Sequence, residues 1–441
     1  METAARLLFF MKIAFIVGEF PVLSETFILN QIVGLISRGH EVVIYGHRPD
    51  EISKVHPDVE KYEVLKRTRY VPLIPTNYLW RSLKGLGLIL MNFHKSPVVL
   101  LRSLNFFKYG KRAASLRLLY SVIPLLKPEQ YDIIHGQFGM HGIEGQIFRD
   151  LGAITGKLIT SFRGYDISYY VQECGEHIYD ELFTKGDFFL SNCEFFRQRA
   201  ITLGCDRNKI LVLRSGIDCS RFQFKVRHPQ PNHKIRVVTV GRLVEKKGIE
   251  YGIRAIANLA NIYPNVEYDI IGDGYLKEEL HLLIKKLRIT DKVNLLGWKN
   301  QKEIIEILDN SHLFIAPSVT AENGNQDAPV NTLKEAMAMG LPVIGTLHGG
   351  IPELVQDGVS GFLVPERNEN AIAEKLIYLI NRPEVWEEMG RAGRSYVEEH
   401  YDINKLNDKL VKIYQKVAMK PYEASEEELP AVTINRKYIS S

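Results

Sequence analysis

Asp327 and Glu335 stand eight positions apart in the stretch DAPVNTLKEAMAMG, an arrangement able to hold the two ends of a long, hydroxyl-rich ligand. Asp327 and Pro329 read as the loop and first turn of a helix, because an acidic side chain can cap free amides and proline tolerates the first helical position. Glu335 then lies about two turns inside, and Gly340 with Pro342 ends the helix by offering a left-handed cap and a residue that cannot continue the ladder. At about 1.5 Å per residue the carboxylates are roughly 12 Å apart, comparable to the length of a nucleotide sugar. The unpaired amides around Val330, Asn331 and Thr332 would face a diphosphate, since a helix N-terminus carries partial positive charge. Asp327 would face the sugar hydroxyls and Glu335 the ribose diol. On spacing alone, an ordinary amphipathic helix with Ala336 and Met339 in the core and both acids in solvent is the commoner explanation.

A second group of candidates follows the apolar run IRVVTV, which ends at Gly241. Arg242 and Lys247 sit in the loop before a helical pattern through Ile249, Ile253 and Ile256. Two cations beside a strand end can neutralise a departing diphosphate, although the GR and KG pairs are weak signals alone. Gly272, Asp273 and Gly274 form a tight turn after the next apolar run. KVNLLGW then supplies a strand ending near Gly297 and Trp298, where an indole is more often packing than ligand contact.

The pattern that positions these residues is strand, loop, helix, repeated along the chain. Lys12 to Val17 opens it, the loop carries only Gly18 and so lacks the dinucleotide fingerprint, and a helical pattern runs through Ile28, Ile32 and Leu35. Further strands end in the loops of YDIIHGQFG and KLITSFRGYDIS. KVRHPQPNHK, polar and without hydrophobic period, reads as a linker. The expected class is α/β, with two doubly wound domains at residues 11–225 and 234–400 and a last helix at 401–418. Ligands should lie where strands end and helices begin. With 441 residues and 45% hydrophobic composition the chain can bury two cores.

A formal charge of +4 is too mild to argue for nucleic acid. Cys174, Cys193, Cys205 and Cys219 form neither a C-x-x-C pair nor zinc spacing, which fits a reducing cytoplasm, and no His/Asp/Glu cluster has metal spacing. The first residues read as a short extension and not a signal, because Lys12 interrupts the apolar run. Nowhere is there an unbroken apolar stretch of about 18 residues. Residues 64–128 contain no Asp or Glu but many Lys and Arg interleaved with residues such as Trp80, Leu86, Leu90 and Phe107. Such a segment suits an anionic membrane surface; a pair of core-facing helices with solvated basic faces explains it equally well. The tail from Pro421 is polar and reads as loose.

Several stretches resemble motifs of one family, the retaining glycosyltransferases of the glycosyltransferase 4 type (group 1), and in particular exopolysaccharide and colanic-acid-type transferases. DAPVNTLKEAMAMG resembles the E-x7-E signature, with Asp327 where the family has its first Glu. FPVLSETF resembles the FP-x-x-SETF opening, where Ser24, Glu25 and Thr26 either cap the next helix or line the acceptor side. YDIIHGQFG resembles DIIHAHFG with Gln137 replacing the second His, and FRGYD resembles FHGxD with Arg163 replacing its His. Arg163 cannot shuttle a proton but could pair with a phosphate; Asp166 matches, though such an Asp is often a turn former. KILVLRSGIDCSRF resembles the segment closing the first domain, with Ser215 for Asn. GRLVEKKG matches the pattern that holds the donor diphosphate, and HGGIPELVQDGVSGFLV is similar again. By this resemblance Gly241 belongs to the pattern that holds the diphosphate, the turn of Gly272, Asp273 and Gly274 helps wall the donor pocket, and Trp298 lies near the nucleobase.

The resemblance implies the GT-B architecture, two Rossmann-like domains facing an interdomain cleft, with the last helix crossing back. It also implies hexosyl transfer, with retention, from a nucleotide diphosphate sugar to a hydroxyl of a polysaccharide or lipid-linked glycan. No cofactor or catalytic metal is expected, because Arg242, Lys247 and the helix N-terminus would stabilise the leaving diphosphate, with Asp327 on the sugar. The protein would be cytoplasmic, with residues 64–128 at the inner face of the cell membrane. The departures at Asp327, Gln137 and Arg163 leave two alternatives: a transferase-like binding subunit that has lost catalysis, and an epimerase or phosphorylase on a similar scaffold.

Overall fold

The computed structural model describes residues 10–22, 25–49, 56–127, 129–229 and 234–419; Ser24, part of the linker, the N-terminal extension and the polar tail lie outside them. Each strand-loop-helix pattern becomes one step of a parallel sheet. β1 (Lys12–Glu19), β2 (Glu41–His47), β3 (Thr68–Tyr70), β4 (Glu129–Gln137), β5 (Ile154–Phe162), β6 (Phe188–Ser191) and β7 (Ile210–Val212) form one sheet in the order 3-2-1-4-5-6-7. β8 (Ile235–Val240), β9 (Val266–Ile271), β10 (Val293–Gly297), β11 (Leu313–Ala316), β12 (Val343–Thr346) and β13 (Phe362–Val364) form the other, in the order 10-9-8-11-12-13.

Side chains alternate across each sheet, and both faces are covered, which is why the strands read as continuous apolar runs. Ala14 and Ile16 join the core on one face of the first sheet, Ile13 and Phe15 the core on the other. Strand order reverses between β1 and β4 and between β8 and β11, and the crevices at those switch points are where this topology opens to ligands. The last helix, Ile403–Met419, returns to the first sheet, where Leu410, Ile413 and Tyr414 are buried with Ile13 and Phe15.

Two expectations are corrected. The helix of the acidic stretch spans Asn331–Ala338, so Pro329 is not in its first turn; Val330 flanks it in extended conformation, and no side chain caps it. Tertiary bonds hold the preceding residues out of the helix: the Asp327 amide donates to His348 Nε2 at 2.9 Å, and its carbonyl accepts from Gly350 at 3.2 Å. Glu335 consequently lies one turn inside, not two. Residues 64–127 are not a pair of core-facing helices either, but a longer helix, Tyr78–Asn92, followed by a run of short ones that starts with Pro97–Ser103. Leu88 and Leu100 are buried, while Trp80, Leu86, Leu90, Leu101 and Phe107 are exposed. Among the described residues no helix is long and apolar enough to cross a membrane.

Candidate active site

The candidates of the second sheet are built on the ends of β8 and β11. The chain leaves β8 through Gly241 and the exposed Arg242, then makes a short turn, Glu245–Lys247. Gly248 follows with φ +56, a conformation suited to glycine, and a side chain there would collide with the Pro317 carbonyl after β11. This close approach brings two lysines under Asp327. Lys247 Nζ lies 2.8 Å from one carboxylate oxygen and Lys246 Nζ 3.1 Å from the other, while Ser318 Oγ donates at 3.0 Å.

Burial opposes a charge on Asp327, but Lys247 and Lys246 outweigh it and hold the carboxyl far below the usual range. Lys246 is pulled down by burial, with Asp327 opposing. The loop is fixed from behind: His348 Nδ1 donates to Glu366 at 2.6 Å, leaving Nε2 to accept the Asp327 amide. The Asp327 carboxylate thus faces two cations and a hydroxyl and caps no helix. Lys246, Ser318, His348 and Glu366 escaped the reading of the sequence. The KK doublet and the His before GG were local hints for two of them; nothing local marked Ser318 or Glu366.

The Asn331–Ala338 helix is pinned to β8, since Thr332 Oγ1 donates to the Val240 carbonyl at 2.8 Å. Its uncapped first turn therefore opens beside Gly241 and Arg242. Glu335 is half-buried, and burial pushes its carboxyl up to about 7, with Lys334 opposing. Lys334 points the other way, fully buried, donating to the Ser215 carbonyl at 2.8 Å and Asn331 Oδ1 at 2.9 Å. Gly274 lies against Leu243, whose carbonyl accepts from Leu276 at 3.1 Å, closing the wall behind Arg242. Trp298 follows β10 and is 51% exposed.

On the first sheet the residues at positions usually His in the family bond to each other. Arg163 is buried, donates from Nε and Nη2 to Gln137 Oε1 at 3.0 and 2.5 Å, and reaches Gln31 at 3.2 Å and Ser215 Oγ at 3.3 Å. Its guanidinium also stacks over Phe27 at 4.4 Å, and burial lowers its pKa to about 10. The donors expected for a phosphate are therefore already engaged within the protein. Asp166 accepts from the amides of Gly139, Arg163 and Gly164 at 2.8, 2.9 and 3.0 Å; it staples its loop, as a turn former does. Glu25 sits half-buried at the start of the first helix, raised by burial with His141 and Arg163 opposing, and makes no side-chain cap.

Helices of each domain reach strand-end loops of the other: Arg199, in the helix Glu194–Thr202, donates to Gln326 at 3.2 Å, and Lys334, in Asn331–Ala338, donates to the Ser215 carbonyl. Two Rossmann-like domains joined across one cleft define the GT-B fold. Residues 220–396 match the model for glycosyl transferases group 1, and residues 24–221 that for glycosyltransferase family 4. The chain belongs to the group 1 glycosyltransferases. It is 33% identical over 413 residues to WcaL of Escherichia coli, named as a colanic acid biosynthesis glycosyltransferase, covering 92% of this chain and 100% of the relative. It is 34% identical over 412 residues to the amylovoran biosynthesis glycosyltransferase AmsK of Erwinia amylovora, with the same coverage, 92% and 100%. Among solved structures, Anabaena HepE in complex with UDP-glucose aligns with a TM-score of 0.67 at 18% identity over 92% of this chain and 99% of its own. Sucrose-phosphate synthase from Thermosynechococcus elongatus aligns at 0.68 and 16% identity, over 92% and 99%. At such identities the likeness is one of fold.

Proposed function

We propose that this glycosyltransferase moves a hexosyl group, with retention, from a nucleotide diphosphate sugar to a hydroxyl of an exopolysaccharide or lipid-linked glycan. The observation that carries the reading is the anchoring of an uncapped helix N-terminus on the end of β8, beside Gly241 and Arg242, with Lys247 in the same loop. Helix amides and cations converging on one point suit a diphosphate. The names of WcaL and AmsK support an exopolysaccharide product, and the UDP and UDP-glucose complexes of HepE support a nucleotide-sugar donor.

In this reading the bond from the anomeric carbon to the phosphate oxygen breaks, and the acceptor oxygen bonds to that carbon from the same face. The acceptor proton passes to a leaving phosphate oxygen. Arg242, Lys247 and the first-turn amides stabilise the developing charge, in place of a metal. Asp327 faces the sugar and Glu335 the ribose. Trp298 lies at the base. Glu25 borders the acceptor side, while Gln137, Arg163 and Asp166 support it from within.

We further propose that the exposed apolar groups Trp80, Leu86, Leu90 and Phe107, among basic residues, dock on anionic membrane at the inner face of the cell membrane. A panel of nucleotide sugars tested by thermal shift, followed by transfer to lipid-linked glycan and NMR of the product anomer, tests the reaction. Inverted configuration in the product, or loss of transfer on chelation, would overturn the retaining or metal-free part respectively.

A further inference from the structure

The helix Glu194–Thr202 belongs to the first domain, and its N-cap residue Cys193 gives no side-chain bond to its free amides. Two of them are satisfied from the other domain. Glu353, 7% exposed, accepts the Glu194 amide on one carboxylate oxygen and the Phe195 amide on the other, each at 2.8 Å. A carboxylate on a helix N-terminus is held by two charge-assisted bonds and by the dipole. Glu353 is also close-coupled to the donor site. Its amide donates to the Gly350 carbonyl at 3.3 Å, and the Gly350 amide donates to the Asp327 carbonyl at 3.2 Å. From the same helix, Arg199 donates to Gln326, the neighbour of Asp327, at 3.2 Å. One helix of the first domain therefore touches the Asp327 loop directly at Gln326 and reaches it a second time through Glu353 and Gly350.

We propose that Glu353 is a positioning residue that makes closure of the interdomain cleft and placement of Asp327 a single event. The role in transfer rests on the sugar-side assignment of Asp327; the role in closure does not. When the cleft opens, the helix amides and the carboxylate separate and the Asp327 loop loses its hold on the first domain. Donor binding through Arg242 and Glu335 needs only the second domain, so it should be indifferent to this latch, whereas turnover should depend on it.

The test compares full-length wild type with Glu353→Gln and Arg199→Met by small-angle X-ray scattering without ligand, calorimetry with a nucleoside diphosphate, and steady-state transfer. A glutamine can accept only one of the two amides. The expected result is a larger radius of gyration, an unchanged nucleotide Kd, and a kcat lower by about 10- to 100-fold for Glu353→Gln, the size of one lost charged hydrogen bond. Arg199→Met should shift the same quantities in the same direction by less, and carries the test should Glu353→Gln fail to fold. Unchanged scattering and kcat in both variants overturns the proposal, and so does a fall in kcat matched by equal weakening of nucleotide binding. If wild type transfers no sugar, the proposed function fails while the scattering comparison still decides the latch.

Discussion

Asp327→Asn should lower turnover and tighten nucleotide binding at once. In the free protein the carboxylate is 6% exposed and holds Lys247 at 2.8 Å and Lys246 at 3.1 Å, so cations suited to a diphosphate are already engaged. An ammonium bridging two oxygens keeps them about 5 Å apart, and two unit charges at that distance repel by about 3 kcal/mol at an effective dielectric of 20. If half of that repulsion survives in the open cleft, the amide variant binds a free nucleoside diphosphate about tenfold more tightly. Turnover should fall by about 10²-fold, because the carboxylate positions the lysines and, on the function proposed above, the donor sugar. Calorimetry beside steady-state kinetics reads both quantities. Stability gives a third. Removing one partner of a buried pair costs about 3–5 kcal/mol; the low end applies here, since the lysine side chains retain 12% and 17% exposure. The folded carboxyl lies below its unfolded value, so this stability is present above about pH 4 and is lost as pH falls through the folded value. The gap in Tm between wild type and variant should stay constant from about pH 8 to about pH 5 and close in stronger acid. A correctly folded variant with unchanged or weaker nucleotide affinity, or a Tm gap that persists in acid, would refute the reasoning.

Arg242→Ala, which breaks no internal pair of Asp327, should slow transfer by about 10²- to 10³-fold, and near-normal turnover in a kinetic assay would remove the diphosphate assignment. Glu335, its carboxyl raised to about 7 by burial against the pull of Lys334, would accept both hydroxyls of the ribose proposed for it most strongly when ionised. Nucleotide affinity should therefore weaken as pH falls through about 7, and Glu335→Gln should weaken binding and flatten the profile; an equally steep profile in the variant assigns the titration elsewhere. For the membrane face, vesicle sedimentation should show binding to anionic lipid that declines with salt and declines further in Trp80→Ser with Phe107→Ser. Equal partitioning onto neutral vesicles would sink the electrostatic part.

Much of the fold was legible because strand signals are local: runs such as IRVVTV and YDIIHGQFG place apolar residues on both faces, and both faces are covered. Loop glycines likewise announce a turn from one position. The start of the Asn331–Ala338 helix was misread for the opposite reason. Proline licenses a first helical turn, but here the Asp327 peptide is bonded to His348 and Gly350, residues that follow it by about twenty positions and that only the tertiary fold brings near. The lysine pair under Asp327 and the Glu353 latch share that dependence on distant chain. So does the exposure of Trp80 and Phe107, since periodicity cannot tell a face turned to the core from one left open.

The departures from the family pattern in the first domain are better understood together than one at a time. Gln137 and Arg163 stand where His is usual, and Ser215 where Asn is usual; read singly, each looks like a lost function. In the fold Arg163 bonds Gln137 at 3.0 and 2.5 Å and Ser215 at 3.3 Å, so the three form one contiguous network, with Gln31 as a fourth member. A buried guanidinium needs acceptors on several sides, and an uncompensated one is costly. A glutamine carbonyl reaching across from β4 and a serine hydroxyl at the domain end supply them. Replacing Arg163 by His alone should then fail to recreate the family site, because Gln137 and Ser215 would lose their donor. The Arg163→His, Gln137→His, Ser215→Asn triple variant should be more stable than the sum of its single changes allows, and additive melting shifts would show that the departures are independent.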